Sequence, residues 1–394
     1  MHSTVLGAAM MAGGLVWSVV GAWAPPPHPF LTTSSNHHRR RGGRGCCTSG
    51  RSSTSLCSSS STLVAPMPDA DTSTPLSPHT FAGMVEQGLL ERFPADEIQR
   101  VLTSWRLLDQ DYLHKEYVGD ADKEGSSDMI QECHSYVPGL SIQPFWDATE
   151  FDWAKELEKA YPTIVKEFEK VTKDMEDLKA KGNNIWAGAL TDDASAYGRD
   201  WKTLVLMNRG IWDDTNAKLF PKTAKAIHKS GIPATEAFFA SMTGPSKIEQ
   251  HSDFTNFVLT SHLALKIPQN GENKCRLTVG DETRQWINGS VMVFDTSLMH
   301  DAINDSDEMR YILMFRVWHP DLTPVERQAL QFTYDCLEVP ELVSQDAGAR
   351  SLAQQLVESM RAFPQIRTAS GGFGGGSGSS DAKKKNQKKK KGRK

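Results

Sequence analysis

Asn256-Phe257-Val258-Leu259-Thr260-Ser261-His262-Leu263-Ala264-Leu265-Lys266-Ile267 is the stretch whose reading decides the fold class. Alternation along an extended chain sends Val258, Thr260, His262 and Ala264 to one face, and Leu259, Ser261, Leu263 and Leu265 to the other. Thr260 and His262 are then neighbours that line one pocket. Taken alone, His262 reads first as a hydrogen-bonded core histidine.

Residues 204–208, 235–242, 275–279, 290–295 and 310–318 have the same character, being short runs rich in Val, Phe, Leu and Thr. Turn pairs such as Asn270-Gly271 and Asn288-Gly289 bound several of them. Upstream the period is helical. Ile98, Val101, Leu102, Trp105, Leu108 and Tyr112 recur at three- and four-residue spacing, which predicts helix through 81–117. A polar loop is expected over 119–128 and a turn at 137–140. Residues 151–178 read as a long amphipathic helix, with Leu157, Tyr161, Ile164, Phe168 and Val171 on one stripe. Pro162 is expected to kink or divide it. Helices first and strands after predict an α+β fold with helices packed on a double sheet.

The chain has 394 residues, 39% of them hydrophobic, which excludes a wholly disordered chain and a polytopic membrane protein. Its net charge of −4 hides an asymmetry: residues 1–68 carry +5, residues 369–394 carry +8, and the body between them carries −17. An acidic body argues against a duplex-DNA-binding core, and no specific nucleic acid is expected as a partner. Residues 5–24 are apolar and uncharged, with small residues around Gly21-Ala22-Trp23-Ala24. They read as a signal for the secretory pathway, the alternative being a membrane anchor. The acid-free Ser/Thr/Arg/Gly stretch that follows is transit-like, as in the leader of a plastid of secondary origin. The tail, Gly/Ser-rich and then Lys-rich, reads as a flexible solubilising segment or an electrostatic contact for RNA or an anionic surface. Cys46, Cys47 and Cys57 lie in the leader. Cys133, Cys275 and Cys336 form no disulfide framework or zinc spacing.

The chemistry concentrates in His251-Ser252-Asp253, His300 and Arg310. A His and an Asp two residues apart can point to one side of an extended segment, and a distant His can complete a three-ligand face. Two His and one carboxylate with open positions is the set that non-haem Fe(II) oxygenases use. Arg310 opens an apolar strand, where a buried cation needs an anionic partner. Its planar fork suits a carboxylate, including one end of a dicarboxylate whose other end binds iron. The plainer reading is a salt bridge from Arg310 to Asp305 or Glu308.

His251-Ser252-Asp253-Phe254-Thr255-Asn256, His262-Leu263-Ala264-Leu265, the run from Trp286-Ile287-Asn288-Gly289 to His300, and Arg310 through Trp318-His319-Pro320-Asp321-Leu322-Thr323 together resemble the aspartyl/asparaginyl β-hydroxylase family. The likeness covers roughly residues 137–330, and the combined motif is more specific than any one piece. It implies a double-stranded β-helix that uses Fe(II), with 2-oxoglutarate and O2 as co-substrates. It implies His251, Asp253 and His300 as catalytic metal ligands, and Arg310 on the distal carboxylate of 2-oxoglutarate. His262, with Thr260 and Ser241, would line the co-substrate pocket. The animal enzyme has Gly in place of Asp253, whereas bacterial lipid-hydroxylating relatives have His-x-Asp, so Asp253 suggests a complete triad. The animal enzyme also has Arg in place of Thr260, and Ser in place of Ala240, beside Ser241. The substrate implied is the β-carbon of Asp or Asn in a protein or peptide, the alternative being a lipid acyl chain. A non-catalytic barrel scaffold acting through its basic tail is the rival from another class.

The resulting organisation is a leader (1–68), a helical extension (69–136), a dioxygenase-like domain (137–345), a C-terminal helix (346–368) and a linker with the Lys-rich tail (369–394).

Overall fold

The computed structural model describes residues 63–68, 70–119, 128–173, 186–188, 200–269 and 271–365. The proposed leader, most of the 119–128 loop and the Lys-rich tail lie outside them. Helices α1 (Phe81–Arg92) and α2 (Gln99–Asp109) are followed by the antiparallel pair β1 (His114–Tyr117) and β2 (Ile130–Ser135). Next come α3 (Asp152–Thr172), β3 (Trp201–Asn208), α4 (Asp214–Leu219), α5 (Pro221–Ser230) and β4 (Ala234–Met242). The later strands are β5 (Ser246–His251), β6 (Phe254–Thr255), β7 (Val258–Lys266), β8 (Cys275–Val279), β9 (Glu282–Gln285), β10 (Val291–Phe294), β11 (His300–Asn304) and β12 (Arg310–Trp318). Helices α6 (Pro324–Glu338) and α7 (Ala347–Arg361) follow.

The major sheet runs Phe145–Trp146, β10, β7, β12, β4, β3 and Ala187–Gly188, with Ile211–Trp212 paired to β3. The minor sheet runs β5, β11, β8, β9. One buried cluster joins them: Ala240, Ala264, Ile312 and Met314 from the major sheet with Ile248, Leu277 and Ala302 from the minor. Two antiparallel sheets closed over a shared interior form a double-stranded β-helix, the jelly-roll of the cupin-like folds, and the α+β expectation holds. A second cluster sits behind the major sheet. There Leu259, Leu263, Leu313 and Phe315 pack against Leu157, Ile164 and Phe168 of α3. The alternation read in β7 is thus the division between the two cores.

Two local expectations are corrected. The helix expected over 81–117 is broken. Pro94 cannot continue a helix that would need its N–H, so α1 and α2 are separate, and His114–Tyr117 is a strand. Conversely, Pro162 lies inside α3 without dividing it. The stripe of Leu157, Ile164 and Phe168 is buried along the sheet, and this packing offsets the lost backbone hydrogen bond.

The N-terminal extension is built into the barrel. Strand β2 pairs in parallel with β6, and Asn256 exchanges two hydrogen bonds with the Val137 backbone, 2.8 and 2.9 Å. The Arg100 guanidinium forks onto the Glu326 carboxylate at 2.7 and 2.6 Å, tying α2 to the capping box of α6. Cys133, Cys275 and Cys336 are buried free thiols. No helix among the described residues is long and apolar enough to cross a membrane.

Glu167 fixes α3 to the start of α5. Its buried carboxylate accepts the Lys222 and Thr223 N–H groups at 2.9 and 2.7 Å and the Thr223 hydroxyl at 2.8 Å. A negative charge on a helix N-terminus is favourable, and these are donors that the helix cannot satisfy itself. Glu167→Ala should therefore lower stability by roughly 2–3 kcal/mol in urea unfolding. A loss under about 0.5 kcal/mol would show that water replaces the carboxylate freely.

Candidate functional site

Barrel closure brings the two histidines together. Strand β5 ends at His251 and β11 begins at His300, and antiparallel register sets these residues directly opposite each other. Their rings lie 4.3 Å apart, centroid to centroid. The chain then leaves β5, and the Asp253 N–H donates to the Thr296 carbonyl at 2.8 Å. The Ser252 hydroxyl donates to the Glu132 carbonyl of β2 at 2.6 Å. Phe254 turns through φ 56°, in the left-handed region, and starts β6. Asp253 Oδ1 is left 3.6 Å from His251 Nε2. One donor atom from each of His251, Asp253 and His300 falls within 4.8 Å of the others.

The tautomers suit a metal. His251 Nδ1 lies 2.7 Å from the Glu249 carbonyl, and His300 Nδ1 lies 2.9 Å from the Leu298 carbonyl. A carbonyl only accepts, so each Nδ1 carries a proton, and Nε2 is the nitrogen left to ligate a metal. Burial, and then the neighbouring His251, lowers His300 to about 4, which keeps it in the neutral, ligating form near pH 7. Burial alone would raise the Asp253 carboxyl, but the Arg316 charge and the two histidines hold it well below the usual carboxylate range. The set therefore fits a divalent metal, since two imidazoles and one carboxylate bring their donor atoms together.

Beyond the triad, the interior face of β7 and β12 carries His262, Thr260 and Arg310. His262 is buried and neutral, its pKa pulled down by burial and by the Arg310 charge. Its Nδ1 accepts the Trp286 indole N–H at 3.1 Å, so its proton lies on Nε2. That buried Nε2 has no hydrogen-bond partner among the described residues. Arg310 is 1% exposed, and its guanidinium lies over the Trp286 ring at 4.2 Å and the Trp201 ring at 5.7 Å. Burial lowers it to about 10, so it stays charged at neutral pH. Its Nε and Nη1 also lack hydrogen-bond partners among the described residues. The salt bridge considered with Asp305 does not form, because Arg276 takes that carboxylate at 2.8 Å. A buried guanidinium with unmet donors is costly, and the carboxylate of a bound ligand would satisfy it.

Thr260 joins the site, its Oγ1 lying 3.0 Å from Thr296 Oγ1. Ser241 does not. It pairs with Tyr311 on the outward side of β4, and its hydroxyl donates to the Lys202 carbonyl at 3.4 Å. Met242 is the register partner of Arg310, and Ala240 shares its inward face.

Arg316 was missed by the sequence reading. It lies opposite Thr260 in register, pairs with Asp253 Oδ2, and donates to Thr260 Oγ1 at 3.2 Å and Thr296 Oγ1 at 3.1 Å. The signal was present: Arg310 and Arg316 are six residues apart on one strand, which puts both on the same face. Trp286, the donor to His262, lay in the quoted motif without a role.

Residues 158–320 match the family model described as aspartyl/asparaginyl beta-hydroxylase. The aspartyl/asparaginyl beta-hydroxylase of Mus musculus is 31% identical over 205 residues, covering 49% of this chain and 26% of that protein. Aspartate beta-hydroxylase domain-containing protein 2 of Xenopus tropicalis is 30% identical, covering 50% and 52%. The ornithine lipid ester-linked acyl 2-hydroxylase of Rhizobium tropici is also 30% identical, covering 47% and 64%. The matched region thus spans from about a quarter to somewhat under two thirds of these relatives' lengths.

The triad geometry makes a direct prediction. Titrated with Mn(II), the full chain should bind one equivalent, and His300→Ala should weaken binding by at least ~10-fold without loss of fold. Equal affinity in the two proteins would remove His300 from the ligand set.

Proposed function

From the match of residues 158–320 to the aspartyl/asparaginyl beta-hydroxylase family model, we propose that this protein is an Fe(II)- and 2-oxoglutarate-dependent dioxygenase that hydroxylates an unactivated C–H bond. The observation that carries this reading is the triad of His251, Asp253 and His300 in one barrel interior with an Arg310 whose Nε and Nη1 are unmet among the described residues. Bound there, Fe(II) with 2-oxoglutarate and O2 would supply the oxidising chemistry of hydroxylation, with succinate and CO2 as by-products.

The chain's own residues have separable tasks. His251 and His300 would hold the iron through Nε2, their rings fixed by the Nδ1–H bonds to backbone carbonyls. Asp253 would supply the anionic ligand and offset part of the metal charge. Arg310 would take the distal carboxylate of 2-oxoglutarate, with the Trp286 ring against its guanidinium face to exclude water. His262 would donate its Nε2–H to the same co-substrate, held in that tautomer by Trp286. Arg310 and Arg316 lie on the interior face of β12, and Arg316 pairs with the buried Asp253 carboxylate.

For the substrate, the β-carbon of an Asp or Asn residue in a protein or peptide is the first class. A lipid acyl chain is the second, motivated by Asp253 in the His-x-Asp form and by the likeness to the acyl 2-hydroxylase. A panel of Asp/Asn peptides beside acyl lipids, read by the mass gain of one oxygen, separates the two.

Purified with Fe(II) and ascorbate, the protein should release succinate from 2-oxoglutarate, and Asp253→Ala should reduce release by roughly two orders of magnitude. Unchanged turnover would remove Asp253 from the site. Arg310→Met should raise the KM for 2-oxoglutarate by at least ~10-fold while Mn(II) affinity stays within ~3-fold. An unaltered KM would place the distal carboxylate elsewhere.

A further inference from the structure

Strand β2 grips both segments that carry the triad. Its first half meets the segment before His300. Gln131 bridges Leu298 in antiparallel fashion, the Glu132 N–H donates to the Ser297 carbonyl at 2.9 Å, and the Met299 N–H donates to the Ile130 carbonyl at 3.0 Å. The Gln131 side-chain amide adds a bond to the Ser297 hydroxyl at 2.8 Å. Its second half meets the segment after Asp253. Cys133 and Ser135 pair with Phe254 and Thr255 of β6, and the Asn256 N–H donates to the Ser135 carbonyl at 3.3 Å. Between the two, the Ser252 hydroxyl donates to the Glu132 carbonyl at 2.6 Å.

These contacts end on the ligands. Leu298, bridged by Gln131, supplies the carbonyl that fixes the His300 ring through Nδ1. Ser252 lies between His251 and Asp253, and the Asp253 N–H joins the two segments by its bond to the Thr296 carbonyl. A ligating imidazole is aimed by the partner of its other nitrogen. Yet β2 lies upstream of residues 158–320, the part that matches the family model. Strand β1, paired with β2 opposite β6, ties it to the rest of the N-terminal extension.

We propose that β2 is a positioning clamp for the metal: it opens and closes as one unit with the segments 252–256 and 295–300, so that metal occupancy and the packing of the N-terminal extension are linked. Gln131 and Ser252 are positioning residues. Neither belongs to the triad, and each acts through the backbone that it holds. The linkage rests on the metal reading above and is independent of the co-substrate.

A loop that must become ordered to bind a metal loses conformational entropy in doing so. Bonds to a strand already in place remove that freedom beforehand and raise the binding-competent fraction, which sets the apparent affinity. The effect is reciprocal: the factor that loss of the clamp costs in metal affinity is the factor by which metal binding tightens the clamp. A strand that only supports the fold would change stability and leave metal affinity alone.

The test uses the full chain, with Mn(II) as a redox-inert probe, calorimetric Kd values and hydrogen exchange read by mass spectrometry. With free Mn(II) at about 100 times its Kd, a unit that opens only after the metal leaves exchanges up to ~100-fold more slowly. Peptides covering 130–135 should slow by the same factor, within ~3-fold, as those covering 252–256, while those of α7 should not. Smaller protection of 130–135, or equal slowing in α7, would overturn the proposal. Gln131→Leu combined with Ser252→Ala should weaken Mn(II) binding by at least ~5-fold. Glu167→Ala, which loosens the contact of α3 with α5 instead, should leave the Mn(II) Kd within ~2-fold of wild type. A smaller loss in the double variant, or an equal loss in Glu167→Ala, would overturn the clamp as well. Wild-type protein that binds no Mn(II), or binds it without protecting 252–256, would instead overturn the triad reading itself.

Discussion

The antiparallel register of β5 against β11 is the contact on which the site depends. It sets His251 across from His300, although 49 positions separate them in the chain. Shifting either strand by one residue would send its histidine to the other face. The register is held from several sides. Strand β8 pairs along the other edge of β11, and Asn304 Nδ2 donates to the Met242, Thr243 and Glu308 carbonyls at 3.2, 3.2 and 2.9 Å. Ser252 and Gln131 fasten the loops that follow β5 and precede β11 to strand β2. The N-terminal extension thus stabilises the ligand geometry directly.

Electrostatics follow from this frame. The interior holds two guanidinium groups, the Asp253 carboxylate and imidazoles, with Arg310, Asp253, His262 and His300 buried. Arg316 is compensated by Asp253. Arg310 lies against the Trp286 and Trp201 faces, which stabilise a cation less than a carboxylate would. A polar group left unmet in a core is normally removed by selection for stability, so its presence points to a ligand. The same logic applies to His262, whose tautomer leaves a donor in the interior.

How much of this was legible in the sequence depended on how each element is buried. Strands of the major sheet are covered on both faces, so β4, β7, β10 and β12 stand out as apolar runs. Strands β5, β9 and β11 face water on one side and read as polar segments, with Lys247, Glu249 and Gln250 in β5 and an exposed Glu-Thr-Arg-Gln in β9. Their pairing was not visible before the fold, yet two of them carry the histidines. His251, Asp253, His300, Arg310 and His262 were legible as a motif, because residue type and spacing carry the chemistry. Ser241 was misplaced, because adjacency in sequence means opposite faces in a strand. Arg316 was overlooked, because its role comes from its partner across the sheet, which sequence alone does not show.

The central claim is that His251, Asp253 and His300 hold an iron that 2-oxoglutarate chelates. The most direct measurement is the visible absorption of the anaerobic Fe(II) protein as 2-oxoglutarate is added. The account predicts a metal-to-ligand charge-transfer band that saturates with one co-substrate per chain in the wild type and is absent in His300→Ala. A wild-type protein that takes up Fe(II) yet shows no such band, or a band of equal strength in His300→Ala, would contradict it.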